Sequence, residues 1–227
     1  MSIPVNRVRW EPCWRIMPTR YPEERILAKV ADPNDLDLIS GLEQMTDDRL
    51  RQERGEVAIV APIDIVSGPG SEHIMAPFTY RNPEGSRFSS GQHGVYYTAR
   101  TLPTAIEETR HHRQVFMSRT NEGPMRLEMR VLTADLDGKL HDIRGMQKKI
   151  PPVYSRTSYA ASQELGDRLV KESAYGIAYD SVRHKGGECA AIFRPPVLSN
   201  CRRERSLVFE WDGEKVEKVY ELREYSD

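Results

Sequence analysis

The chain has 227 residues, with 33 Lys and Arg against 34 Asp and Glu and a formal net charge of -1. This length suits a single core that buries about 70% of the unfolded chain's surface. The balanced charge offers no general attraction for nucleic acid or an anionic membrane, so any anion site must be local. Three cysteines, Cys13, Cys189 and Cys201, form neither a CxxC pair nor an even disulfide set. They are expected to be small buried or half-exposed thiols in a reducing compartment, with no structural zinc site. No leader-like segment opens the chain and no apolar run of about eighteen residues occurs, so a cytoplasmic protein without a membrane anchor is expected.

In chain order, residues 14–17 form a short apolar run between Pro12 and Pro18, the first predicted strand. Leu36, Leu38, Ile39, Leu42, Met45 and Leu50 then recur at helical spacing, predicting an amphipathic helix over 34–53. Residues 57–62 are a continuous apolar run of strand length, and a loop rich in Gly and Pro follows as far as Gly85. Residues 94–98 carry the aromatic and branched content of a buried strand, and Pro103 suits the first turn of a helix running to about Met117. One face of that helix carries Leu102, Ala105, Ile106, Thr109, Phe116 and Met117, with Glu107 and Glu108 flanking the stripe on opposite sides. Periodicity alone does not choose between those two carboxylates.

Residues 125–136 alternate apolar with polar side chains, predicting a strand with one wet face. Residues 156–173 look helical, 176–179 and 189–193 read as strands, and 207–211 with 216–222 form a hairpin around Asp212-Gly213. The mixed order predicts a single-domain α+β fold of strongly twisted antiparallel sheets with flanking helices.

The densest chemistry lies between Gly85 and His112, where Arg87 stands ten residues before Tyr97 and Tyr97 eleven before Glu108. A basic residue in a Gly/Ser loop, an aromatic strand and a helix bearing a carboxylate could together hold an anionic, ring-bearing ligand. This pattern resembles the RES domain family, whose members are mostly toxins of bacterial toxin–antitoxin pairs. Arg15 in Trp-Arg-Ile matches the family's N-terminal Arg, and Arg87 its Gly-Arg-Trp/Phe segment with the glycine shifted to Gly85. Tyr97 matches the strand tyrosine, and the family spacing selects Glu108 on the helix. Ser181 matches the serine. The separation of Arg15 from Arg87 exceeds what compact members need, so the 34–53 helix reads as an elaboration.

The resemblance implies a fold similar to the diphtheria-toxin-like ADP-ribosyltransferases, NAD as substrate without a metal, and cleavage of the nicotinamide–ribose bond. It implies Glu108 as the carboxylate facing an oxocarbenium-like centre and Arg15 and Arg87 as clamps on pyrophosphate. Tyr97 is then a flat face for nicotinamide and Ser181 a donor that orients it. A cognate antitoxin with a DNA-binding region is the implied partner, and the ADP-ribosyl acceptor stays open between water, phosphate and protein.

A catalytically silent nucleotide- or partner-binding protein of the same fold is the alternative, and an RNA-cleaving toxin is disfavoured by the neutral charge. Other motifs carry less. His111 and His112 read as a surface helix pair lacking a third zinc ligand. Lys185-Gly186-Gly187 reads as a turn, and Arg202, Arg203 and Arg205 read as a solvated loop.

Overall fold

The computed structural model describes residues 2–19, 60–79 and 82–223. The predicted 34–53 helix and residues 57–59 of the predicted 57–62 strand lie outside these residues, and residues 60–62 do not form strand. The described strands are β1 (Val5–Pro18), β2 (Tyr96–Ala99), β3 (Met125–Asp142), β4 (Gly176–Asp180), β5 (Glu188–Ile192), β6 (Leu198–Trp211) and β7 (Val216–Leu222). The described α-helices are α1 (Ser71–Thr79), α2 (Leu102–Met117) and α3 (Ala160–Lys171).

The strands make one seven-stranded mixed sheet, so the protein is α+β. β3 joins β1, β4 and β6, and β1 also meets β2 at Trp14 and Ala99. Together with the β2–β5 and β4–β5 ladders, these pairings close β1, β2, β5, β4 and β3 into a hydrogen-bonded circuit. All pairings are antiparallel except β3 with β4, where Asp142 stands opposite Ala178. That departure from the expected antiparallel order follows from connectivity. Parallel neighbours need a long crossover, and the chain makes it through α3.

β1 is longer than the apolar run suggested because Pro12 does not end it. The β1–β3 register shifts between Trp10 and Cys13, and Pro12 lies in that bulge, where the ladder demands no N–H. The extra residue also changes the phase of the strand. Val8 and Trp10 share one core cluster with Cys13, and Met17 packs against it, while Trp14 and Ile16 turn to the other face. β6 likewise begins earlier than the predicted hairpin, and Arg202, Arg203 and Arg205 lie on it as strand residues. α1, within the stretch read as loop, is a helix despite Pro77 in its last turn.

α2 forms where the sequence placed it. Thr101 caps its first turn, accepting a hydrogen bond from the Thr104 amide, and Pro103 occupies an N-terminal position where no N–H is missed. Ala105 of this helix belongs to a core cluster with Phe88, Val95, Leu165, Leu169, Tyr179 and Cys189. That cluster fixes α2, α3 and the loop before β2 on one face of the sheet.

Gly166 shows how tightly the loop sits. A Cβ built at Gly166 would lie 2.1 Å from Phe88 O, so only glycine lets the loop backbone lie on α3. Gly166→Ala is therefore expected to lower stability by about 1–3 kcal/mol in urea unfolding; an unchanged midpoint would contradict this close approach.

Candidate functional site

The loop carrying Arg87 is a tight turn fastened to its surroundings. The Asn82 side chain donates to Gly85 O at 2.8 Å, and Ser86 N donates to Ser89 O at 2.8 Å. The Tyr97 hydroxyl accepts from Phe88 N at 2.9 Å and shares a 2.7 Å hydrogen bond with Ser86 Oγ. Burial pushes this phenol up to about 12, so it stays protonated as a peg between β2 and the loop. From α3, Gln163 Nε2 donates to Ser86 O at 3.0 Å.

This fastening holds Arg87 inward, with 6% of its surface exposed. Its Nη1 donates to Ser155 O at 3.0 Å and Val153 O at 3.3 Å, and the guanidinium lies 4.6 Å from the Tyr159 ring centroid. Two other partly buried arginines have carboxylates: Arg194 meets Asp64 at 2.8 Å and Arg144 meets Asp142 at 2.6 Å. Among the described residues Arg87 has none.

On α2, Glu108 points to the loop after β4. Ser181 Oγ lies 2.5 Å from Glu108 Oε1 and accepts from the amides of His184 at 2.8 Å and Arg183 at 3.1 Å. A hydroxyl has one proton and two lone pairs. With both lone pairs taken by amides, the Ser181 proton is committed to Glu108. The Cys189 thiol lies 3.9 Å from the same carboxylate oxygen and is pushed well up by burial and by that charge, which makes it a weak donor and a poor nucleophile. Glu107, by contrast, pairs with Arg110 at 3.4 Å.

The surrounding field is positive. Burial together with Arg183, Arg156 and Arg87 pushes His111 down to about 4, and His112 beside it is lowered by burial and by some of the same arginines. Arg183 Nη2 donates to Arg156 O at 2.7 Å, tying two of these cationic residues together. The two imidazoles are edge-to-face at 5.5 Å and remain neutral at pH 7. Arg87 and Glu108 both lie near enough to Cys189 and Tyr179 to act on their titration.

Arg15 is placed differently. Its guanidinium stacks 4.6 Å from the Tyr96 ring and donates to Tyr97 O at 3.0 Å. Tyr96 belongs to the cluster of Cys13 and Cys201, whereas Tyr97 packs with the opposite cluster. Successive strand residues face opposite ways, so Arg15 lies on the other side of β2 from the Tyr97 ring. The structure thus brings together Arg87, Tyr97, Glu108 and Ser181 but not the Arg15 guanidinium. The bulge at Pro12 is the cause, and no periodicity in the sequence announces it.

Sequence reasoning missed Arg156, Tyr159 and Arg183, which reach the group only through folding. Arg202, Arg203 and Arg205 are not a free basic patch, since they engage Asp135, Ser206, Glu204 and Glu221. All three cysteines are free, as their spacing suggested, and all are buried. No described helix is long and apolar enough to cross a membrane.

This α+β protein thus carries a carboxylate held by a half-buried hydroxyl and a buried guanidinium that has no carboxylate partner among the described residues. Residues 63–212 match the RES domain family, and the chain belongs to that family. The matched span includes Arg87, Tyr97, Glu108 and Ser181 and leaves out Arg15. Among individual proteins, the chain is 28% identical over 207 residues to uncharacterised protein y4oC of Sinorhizobium fredii, covering 91% of this chain and 86% of that protein. It also resembles a chain in the crystal structure of the M. tuberculosis MbcT–MbcA toxin–antitoxin complex. The TM-score there is 0.49 and the identity 12%, covering 92% of this chain and 87% of that one.

The depressed histidine has a measurable consequence. The unfolded chain takes up a proton near the ordinary value of 6.5, while folded His111 resists to about 4. Its contribution to stability is thus present above pH 6.5 and is lost as pH falls toward 4. Thermal unfolding of His111→Gln should show a shallower loss across that window than wild type. Parallel curves would contradict the cationic surroundings.

Proposed function

We propose that the chain is the toxin of a bacterial toxin–antitoxin pair and cleaves the nicotinamide–ribose bond of NAD. Residues 1–227 act in this reading as one catalytic unit. The observation that carries it is the buried Arg87 guanidinium, which lacks a carboxylate among the described residues and shares its region with Glu108. Taking a charge out of water costs several kcal/mol unless an opposite charge completes it, and a pyrophosphate does so in the forked geometry a guanidinium prefers. RES family membership supports NAD as the ligand with that chemistry.

In this mechanism Arg87 holds the pyrophosphate, backed by the positive field of Arg156 and Arg183. As nicotinamide leaves, positive charge develops on the ribose, and Glu108 stabilises it. Ser181 donates its hydrogen bond to Glu108 rather than to nicotinamide, so its part is to fix the carboxylate. The Tyr97 hydroxyl holds the Arg87 loop and its ring borders the nicotinamide. Arg15 supports β2 through the Tyr97 carbonyl, from the face opposite the Tyr97 ring. The ADP-ribosyl acceptor is water, phosphate or a protein side chain. A cognate antitoxin with a DNA-binding region silences the enzyme by setting an acidic segment against Arg87.

Mass spectrometry of products after incubation with NAD and phosphate tests this reading. Free nicotinamide is expected from wild type, and Glu108→Gln should lower its rate roughly 100- to 1,000-fold while Glu107→Gln has little effect. Intact NAD with the wild-type protein would instead favour a silent nucleotide- or partner-binding role.

A further inference from the structure

Thr104 and Glu108 stand one helical turn apart on α2, so both face the loop that follows β4. The loop meets each of them. His184 Nδ1 lies 2.9 Å from Thr104 Oγ1, which lies 2.9 Å from Thr101 Oγ1 at the helix cap. Three residues earlier, Ser181 Oγ reaches Glu108. Between the two contacts, the His184 amide donates to Ser181 Oγ, Gly187 N donates to His184 O at 3.0 Å, and Ser181 N donates to Gly187 O at 2.8 Å.

Thr104 is fully buried, so its hydroxyl is costly to leave unpaired. Gly187 makes the contact possible: a Cβ there would fall 2.6 Å from Thr104 Oγ1 and 3.0 Å from His184 Nδ1. The contact also tolerates either imidazole tautomer. If Thr104 donates to Nδ1, Thr101 can donate to Thr104. If the ring donates instead, Thr104 can turn its proton toward Thr101.

We propose that His184 is a positioning residue that acts through Ser181: its ring, anchored on Thr104, fixes the loop amides that orient the Ser181 hydroxyl and thereby the Glu108 carboxylate. The effect on catalysis rests on the NAD-cleaving reading above, while the anchoring itself does not. A freed loop leaves Ser181 able to rotate and Glu108 free to leave the geometry that the transition state needs. Displacement by about 1 Å can cost on the order of 100-fold in rate.

The test compares His184→Ala, Thr104→Val and His184→Asn, whose amide can replace the Nδ1 contact. Amide hydrogen exchange by NMR reads the loop without any ligand. Exchange at Arg183 and His184 should quicken at least about tenfold in His184→Ala and Thr104→Val and return toward wild type in His184→Asn. With NAD, the first two variants should lose roughly 10- to 100-fold in kcat with KM changed little, and His184→Asn should recover most of the loss.

Unchanged exchange in His184→Ala would overturn the proposal, whatever the protein does to NAD. Quickened exchange with an undiminished kcat would overturn the positioning role. Absence of NAD cleavage by wild type would reject the underlying reading, and the exchange comparison would still decide the anchor. His184 is only partly buried, so its alanine variant keeps the comparison valid even if Thr104→Val fails to fold.

Discussion

Arg87 is a charge held out of water, and much of the surrounding structure serves to hold it there. Two backbone carbonyls and the Tyr159 ring satisfy part of the guanidinium, Tyr97 and Gln163 pin the loop on either side of it, and Gly166 clears space for the backbone. None of these groups carries negative charge. A cation desolvated without a counter-ion is destabilising in isolation, and in the proposed reading the ligand brings the missing charge. Arg144 shows the contrast, since Asp142 and Glu188 both engage it and leave little for a ligand.

The carboxylate nearby is organised on the opposite logic. Glu108 receives a hydroxyl proton and lies beside a thiol, but no described cation pairs with it directly. Its negative charge is therefore not cancelled by a contacting group. A site that separates a fixed anion from fixed cations in this way can stabilise a substrate whose own charges are separated. NAD breaking at the ribose is such a case, with negative pyrophosphate at one end and developing positive charge at the other.

Much of the chain was legible in advance wherever local pattern and tertiary packing agree. α2, β2, β4, β5 and the C-terminal hairpin all form close to where periodicity, Pro103 and Asp212-Gly213 placed them. β1 and β6 were read too short, because a proline in a bulge and a charged run look like interruptions until a partner strand absorbs them. The parallel β3–β4 pair was invisible for a different reason: pairing direction is set by the crossover through α3, a contact between segments distant in sequence. The polar site follows the same division. Arg87, Tyr97 and Glu108 lie within one short segment, so their grouping survives folding almost unchanged. Ser181 joins them from just beyond β4, and its hydrogen bonds give it a role toward the carboxylate that residue type alone did not suggest. Arg15 was carried by a family match that contains no information on strand phase, and one bulged residue sends its side chain to the other face. Arg156, Arg183 and Tyr159 lie on the connections flanking α3 and after β4, where sequence spacing says nothing about distance.

The most direct test of the central claim is a crystal structure of the Glu108→Gln variant with NAD. The account predicts pyrophosphate oxygens on the Arg87 guanidinium, and the ribose carbon that bears nicotinamide facing the amide that replaces the Glu108 carboxylate. NAD bound elsewhere, or bound with its phosphates away from Arg87, would contradict it.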